Sequence, residues 1–425
     1  MEERLSNLKK FEDEVYRCMK CGFCMYFCPV YRETYQEPYV ARGRNVLAMD
    51  LLEGESFDWR HLEKRYSMCL TCNRCAQFCP AKVDVATITL AARADIVQEK
   101  GLPLWKKVLY RGLINRRGLF GRVLKGASRF QRLLPRTQGK IRHLPTFLSG
   151  LGKGRQIPEI AERFLRERLP EVSSPPEGVE RRMRVAYFAG CGTDYIFPEV
   201  GVKLVDFLTR QGVEVVFPKD QGCCGMPVMG SGDFALAREL ADRNVAIFEK
   251  LDVDYIVTAC ATCGSAMKEG YLTFLADTEE RRRRYEEFAK RVKDFNEFVI
   301  DILKPPPEAF STELPEGTKV TYHDPCHLVR YQKITAQPRA IIKALPGVEF
   351  VEMAEPDRCC GMGGAFNIEH YELSKQIAQR KMDAIADTRA DVVVTACPGC
   401  MIQLIDQTIQ RGMPQRVMHV VELLK

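Results

Sequence analysis

The chain has 425 residues, 18 of them cysteine, and a formal net charge of +7. No run reaches the roughly 18 apolar residues of a membrane span, and Met1 to Lys10 is charged where a secretory signal would be apolar. The cysteines are too sparse for a disulfide scaffold, so a cytoplasmic chain with reduced, metal-binding thiols is expected.

Residues 1–100 hold eight cysteines in two identical arrays: Cys18, Cys21, Cys24 and Cys28-Pro29, then Cys69, Cys72, Cys75 and Cys79-Pro80. Three cysteines at intervals of three wrap a loop around one cubane, and the fourth, followed by proline, reaches the other cluster. The spacing therefore assigns Cys18, Cys21, Cys24 and Cys79 to one 4Fe–4S cluster. It assigns Cys69, Cys72, Cys75 and Cys28 to a second. Structural zinc takes two Cys-x2-Cys pairs and fits eight cysteines in this pattern poorly. Between the arrays, Val46 to Leu52 and Trp59 to Tyr66 carry helical patterns. This region is similar to the α-helical ferredoxin domain of respiratory dehydrogenase subunits.

Residues 101–180 hold no cysteine and read as a linker, from Gly101-Leu-Pro to Ser173-Ser-Pro-Pro. From Trp105 to Arg155 there are fourteen Lys or Arg and no Asp or Glu. Apolar residues recur at near-helical spacing between Leu104 and Leu134, the pattern of basic amphipathic helices. Residues 104–155 could lie on an anionic membrane surface, or bury their apolar face on the ferredoxin domain with the charges solvated. Nothing else in the chain supports nucleic-acid binding, and none is expected.

The remaining ten cysteines fall into an internal duplication. The first copy, 181–304, places Cys191 after Arg184-Val-Ala-Tyr-Phe-Ala-Gly, then Cys223-Cys224-Gly225, then Cys260 and Cys263 after Asp254-Tyr-Ile-Val-Thr-Ala. The second, 305–425, repeats this with Cys326, Cys359-Cys360-Gly361, Cys397 and Cys400, behind a Pro305-Pro306-Pro307 spacer. In both copies an apolar run precedes the first cysteine and a helical pattern follows the pair, Phe234 to Lys250 and His370 to Asp387. Each copy thus reads as an α/β lobe with its cysteines at strand ends or in the loops after them, where such sheets bind ligands. Adjacent cysteines make poor disulfide partners. Five soft ligands per lobe point to an unusual cluster, or to four ligands and a reactive thiol, with zinc in one lobe as the alternative. His323 and His327 flank Cys326 and could donate protons or orient a cluster thiolate.

The doubled Cys-x31-Cys-Cys-Gly-x34-Cys-x2-Cys pattern, one residue longer in each gap in the second copy, resembles the "CCG" domain of heterodisulfide reductase. With the dicluster domain, Arg42-Gly43-Arg44 and Cys69-Leu-Thr-Cys72, the chain looks like the D-type subunit of that enzyme and is similarly built to glycolate oxidase and lactate dehydrogenase iron–sulfur subunits. The resemblance implies a multidomain fold, an α-helical dicluster ferredoxin domain followed by two duplicated α/β CCG lobes. It implies two cubane 4Fe–4S clusters and one or two non-cubane clusters. No GxGxxG turn or P-loop is present, so no flavin or nicotinamide site of its own is expected, and Gly361-Met-Gly363-Gly364 reads as backbone approaching a cluster. The implied role is an oxidoreductase subunit inactive alone, peripheral on the inner membrane face, with a flavoprotein or membrane cytochrome as partner. In that role it passes electrons to a disulfide at the CCG lobes. The second reading is a relay from a flavoprotein oxidising a 2-hydroxy acid to quinone, and the third an adaptor whose clusters are structural.

Overall fold

A computed structural model of the chain describes residues 5–131, 136–137, 140–141 and 154–425. The rest of the basic segment, 132–135, 138–139 and 142–153, lies outside the described residues. Two compact units are present, Met1–Gly112 with Gly225–Arg238 and Cys359–Arg380, and Leu113–Cys224 with Glu239–Arg358 and Lys381–Lys425.

The first unit is helical. Its core lies among α1 (Ala41–Leu52), α2 (Trp59–Ser67) and α3 (Val85–Lys100). Asp58 caps α2 by accepting from the Arg60 amide at 2.8 Å, and Leu62 and Tyr66, four residues apart, form its buried face. Asp84 caps α3 through the Thr87 amide at 3.0 Å, and Gly101 ends it at φ +75°. Ile88, Ala91, Ala92 and Ile96 bury α3 in this core, each large aliphatic side chain contributing about 1.5–3 kcal/mol. Asp95 on α3 is buried and accepts from the amides of Asn7 and Leu8, which ties down the N-terminal turn. The segments that follow the two cysteine pairs pack into this unit. Arg93 donates to the Gly230 carbonyl at 2.7 Å, and a Cβ on Gly363 would stand 2.5 Å from Leu70 Cδ2.

The second unit contains both α/β sheets. The first sheet comprises β1 (Val172–Ser173), β2 (Met183–Tyr187), β3 (Val213–Val216), β4 (Tyr255–Thr258) and β5 (Val292–Asp294), in the order β1-β3-β2-β4-β5. Only β1, an edge strand drawn from the linker, is antiparallel. The second comprises β6 (Thr318–His323), β7 (Val348–Phe350), β8 (Val392–Thr395) and β9 (Arg416–His419), all parallel, in the order β9-β8-β6-β7. β8 is buried along its whole length, as a central parallel strand with both faces covered must be. The duplication is thus visible as two α/β sheets with like strand order.

Part of the basic segment docks on the first lobe. In α4 (Arg117–Phe130), Arg117 pairs with the buried Asp194 at 2.8 Å, Phe120 meets Tyr195 edge-on, and Lys125 bonds Glu167. Of its other apolar side chains, Leu119, Val123 and Phe130 remain exposed. No helix among the described residues is long and apolar enough to cross a membrane.

Candidate metal centres

In the first unit the two cysteine arrays wind alike. Each takes left-handed backbone at its third and fifth positions, Lys20 and Gly22 in one and Thr71 and Asn73 in the other. Phe27 and Phe78, each just before a Cys-Pro, stack at 3.8 Å and 9°, pairing the two halves. The Cys24 thiol is surrounded by Cys18, Cys21 and Cys79, and that of Cys75 by Cys72, Cys69 and Cys28. Burial first, and then the neighbouring thiols, push Cys24 and Cys75 up, and burial drives Cys28 up to about 11. Four thiols so crowded hold several negative charges only with a cation among them, which is the condition a metal cluster supplies.

The arginines of Arg42-Gly43-Arg44 serve different arrays. Arg42 donates to the Lys20 carbonyl at 3.3 Å and to Glu37 at 2.7 Å, bracing the first loop. Arg44 is buried and faces the thiols of Cys69, Cys28 and Cys75. Its Nη1 reaches the Tyr39 carbonyl at 2.6 Å, while its Nε is buried with no hydrogen-bond partner among the described residues. A buried, unpaired guanidinium N–H beside three thiols fits a site whose remaining acceptors are cluster sulfurs. Arg93, which no sequence motif singles out, donates to the carbonyls of Tyr66 and Cys69 at 2.7 Å each and fixes the start of the second array.

In the second unit, the Cys191 thiol shares a hydrogen bond with Cys223, which raises it well above the ordinary thiol range. Gln221 joins their loops, accepting from the Ala189 amide at 2.9 Å and donating to the Tyr187 carbonyl at 3.0 Å. Tyr271 donates to the Cys224 carbonyl and Asn244 to that of Cys223, each at 2.9 Å. Cys224 and Cys260 adjoin Cys263. Gly190, at φ +70°, leaves room for this gathering, since a Cβ there would stand 2.8 Å from Cys263 Sγ. All five cysteines of the first set therefore lie in one neighbourhood.

The two Cys-x2-Cys turns touch. The Ala261 amide donates to the Ala396 carbonyl at 3.2 Å, and Thr262 Oγ1 lies 3.4 Å from Cys397 Sγ. Cys397 accepts hydrogen bonds from Cys260 and Cys400, which hold it well below the usual thiol range. Cys326 is half-buried at the turn after β6, which Asp324 anchors through a two-pronged pair with Arg339 at 3.0 and 2.8 Å. Cys359 and Cys360 are buried and belong to the first unit, where the Gly361 amide points at Cys359 Sγ from 3.4 Å.

His327 bonds Ser265 at 2.6 Å and stacks on Tyr331 at 4.8 Å. His419, at the end of β9, also faces Cys397, a placement no local pattern signals. Burial pushes both histidines down to about 4. An unfolded histidine binds its proton near pH 6.5, so between pH 6.5 and 4 the unfolded chain holds more protons than the folded one. Their stabilisation is complete above pH 6.5 and is lost as pH falls through 4, about 3 kcal/mol for each. Urea midpoints should fall steeply between pH 7 and 5, and His327→Gln should flatten the slope by one proton. An unchanged slope would mean that His327 is already charged in the fold.

Comparison with known proteins agrees with this layout. A 4Fe–4S dicluster domain profile matches residues 14–83, and a cysteine-rich CCG domain profile matches twice, over 185–268 and 320–405. The probable glycolate oxidase iron-sulfur subunit of Bacillus subtilis (strain 168) is 32% identical over 97% of this chain and 94% of its own. A subunit of the CoM/CoB fumarate reductase of Methanothermobacter marburgensis is 28% identical over 96% of this chain and 71% of its own. Lactate utilization protein A of an Exiguobacterium species is 32% identical over 57% of this chain and 96% of its own. A crystal structure of a hypothetical protein from Helicobacter pylori shares the fold with a TM-score of 0.50 at 11% identity, over 98% of this chain and 75% of that one.

Proposed function

This chain belongs to the family of iron–sulfur oxidoreductase subunits that includes the glycolate oxidase iron–sulfur subunit, and from that premise we propose which residues hold its clusters and what they serve. Cys18, Cys21, Cys24 and Cys79 hold one 4Fe–4S cluster, and Cys69, Cys72, Cys75 and Cys28 the other. The observation that carries this is the sorting of the thiols around Cys24 and Cys75 into those two sets of four. Such clusters supply one-electron transfer when bound. The protein's part is to exclude water, fix the thiolates and place charge beside them, as Arg44 does.

The lobe cysteines hold further metal clusters: Cys191, Cys223, Cys224, Cys260 and Cys263 in one, and Cys326, Cys359, Cys360, Cys397 and Cys400 in the other. Both sets are complete, which supports a heterodisulfide-reductase-like role in which electrons reach a disulfide at the lobes. The second reading is a relay for a flavoprotein that oxidises a 2-hydroxy acid, and the near full-length likeness to a glycolate oxidase subunit favours it. Under both, electrons are exchanged with a partner subunit at the first array. There Cys21 is exposed and Met19, Phe23 and Tyr26 present apolar surface around it. Exposed Leu104, Trp105 and Val108 offer a second apolar surface to a membrane-associated partner.

The deciding measurement is iron, zinc and labile sulfide per chain on anaerobically purified protein. About 16 iron, at four per cluster, supports disulfide chemistry at the lobes. About 8 iron leaves the ferredoxin pair alone and makes the chain a relay.

A further inference from the structure

The two lobes share strand order and cysteine pattern, and differ in the residue three places before the first cysteine of each set. Phe188 and His323 each stand three residues before the first cysteine of their set. Phe188 is fully buried and packs on Phe248 at 5.8 Å, so it closes its lobe with an apolar ring. His323 ends β6, paired in register with Thr395 on the central strand. It is also fully buried, yet neither ring nitrogen has a hydrogen-bond partner among the described residues. A neutral imidazole carries one N–H and one lone pair, and leaving both unmet in a core costs a few kcal/mol. Thr321 and Thr395, on the same strand and beside it, also have buried hydroxyls without partners among the described residues, so they do not relieve it.

What the ring does have nearby is sulfur. A His323 ring nitrogen lies within 4.8 Å of Cys400 Sγ. Two ligands of one metal ion, at about 2.0 Å for nitrogen and about 2.3 Å for sulfur, stand no further apart than this.

We propose that His323 is a nitrogen ligand of the metal group in the second lobe, beside Cys400, so that the first lobe holds an all-sulfur site and the second a sulfur-and-nitrogen site. The proposal rests on the reading that the lobes bind metal. Its consequence is a difference in potential. With His323 as a ligand, one of the five cysteines of the set is released from the metal, and a neutral imidazole in place of that thiolate leaves one less negative charge there, a replacement that raises the potential of an iron–sulfur centre. The second lobe is then the more easily reduced of the two, which gives electrons arriving at the lobes a preferred end point.

The test uses the full chain labelled with 15N-histidine and purified anaerobically, with iron and zinc counted first. Pulsed electron paramagnetic resonance on the reduced protein should show strong 15N coupling at one centre. Zinc-edge X-ray absorption should show a directly bound nitrogen if that lobe has taken zinc. The signature should vanish in His323→Phe, which imports the first lobe's residue, and in His323→Asn, which serves if the phenylalanine variant does not fold. In an iron-filled lobe, His323→Cys should keep the metal and lower that centre's midpoint. A full metal complement without nitrogen coupling, or a coupling that survives both substitutions, overturns the proposal and leaves the lobes as metal sites. About 8 iron with no zinc removes the lobe metals and overturns both.

Discussion

Cys28→Ala should cost the protein the cluster held by Cys69, Cys72 and Cys75, and leave intact the one held by Cys18, Cys21 and Cys24 in its own array. The Cys75 thiol is bordered by Cys72, Cys69 and Cys28, and the Cys24 thiol by Cys18, Cys21 and Cys79. In the proposed ligation each array therefore lends its fourth cysteine to the other. Alanine at 28 leaves one iron of the second site without a protein thiolate, and the expected loss is about four iron per chain, one cluster's worth. Cys79→Ala should give the mirror result. Iron analysis paired with electron paramagnetic resonance of the reduced protein distinguishes the two, because only the Arg44-flanked site should disappear in the first variant. Loss of the other signal would sink the crossed arrangement. Both variants should also melt earlier than the parent, since metal affinity here is folding free energy and each shared cysteine links the two arrays.

What was legible in the sequence was what spacing and period encode. Cys-x2-Cys-x2-Cys-x3-Cys-Pro fixes a loop's winding, and the left-handed residues at Lys20, Gly22, Thr71 and Asn73 are that winding realised. The apolar runs before Cys260 and Cys397 became β4 and β8, because a strand buried on both faces leaves a continuous hydrophobic signature. The unread parts depend on contacts between distant positions. The pattern over 104–155 suits a membrane surface or the ferredoxin domain, and within it the structure sets α4 on Asp194 and Tyr195 of the first lobe, a contact no local pattern marks. An amphipathic pattern tells that a face is buried, and is silent on what buries it. Likewise Arg93, Asn244, Tyr271 and His419 are single polar residues inside helical or strand patterns, with no local mark of the backbone or thiol they serve.

Arg44→Met should lower the reduction potential of the second cluster by on the order of 100 mV and leave the first nearly unchanged. Burial alone would weaken the Arg44 charge, and the thiols of Cys69, Cys28 and Cys75 more than reverse that, so the guanidinium stays fully charged where water cannot screen it. A unit charge ~7 Å from the centre, at an effective dielectric of ~20, changes the energy of an added electron by about 2 kcal/mol. For a one-electron couple that is on the order of 100 mV. Methionine nearly fills the same space, so packing is largely retained, although the Tyr39 carbonyl loses its 2.6 Å donor. Arg42 provides the control. It is partly exposed and spends its charge on Glu37, so Arg42→Met should move the first cluster's potential by far less. Arg44→Lys should fall between the two, because it keeps the charge and loses the buried Nε–H and the guanidinium's fork. A redox titration followed by electron paramagnetic resonance reads all three variants against the parent. If the second cluster's midpoint is the same in Arg44→Met, the guanidinium there is only a brace for the Tyr39 turn, and the potential of that cluster is set by its thiolates and their backbone N–H donors.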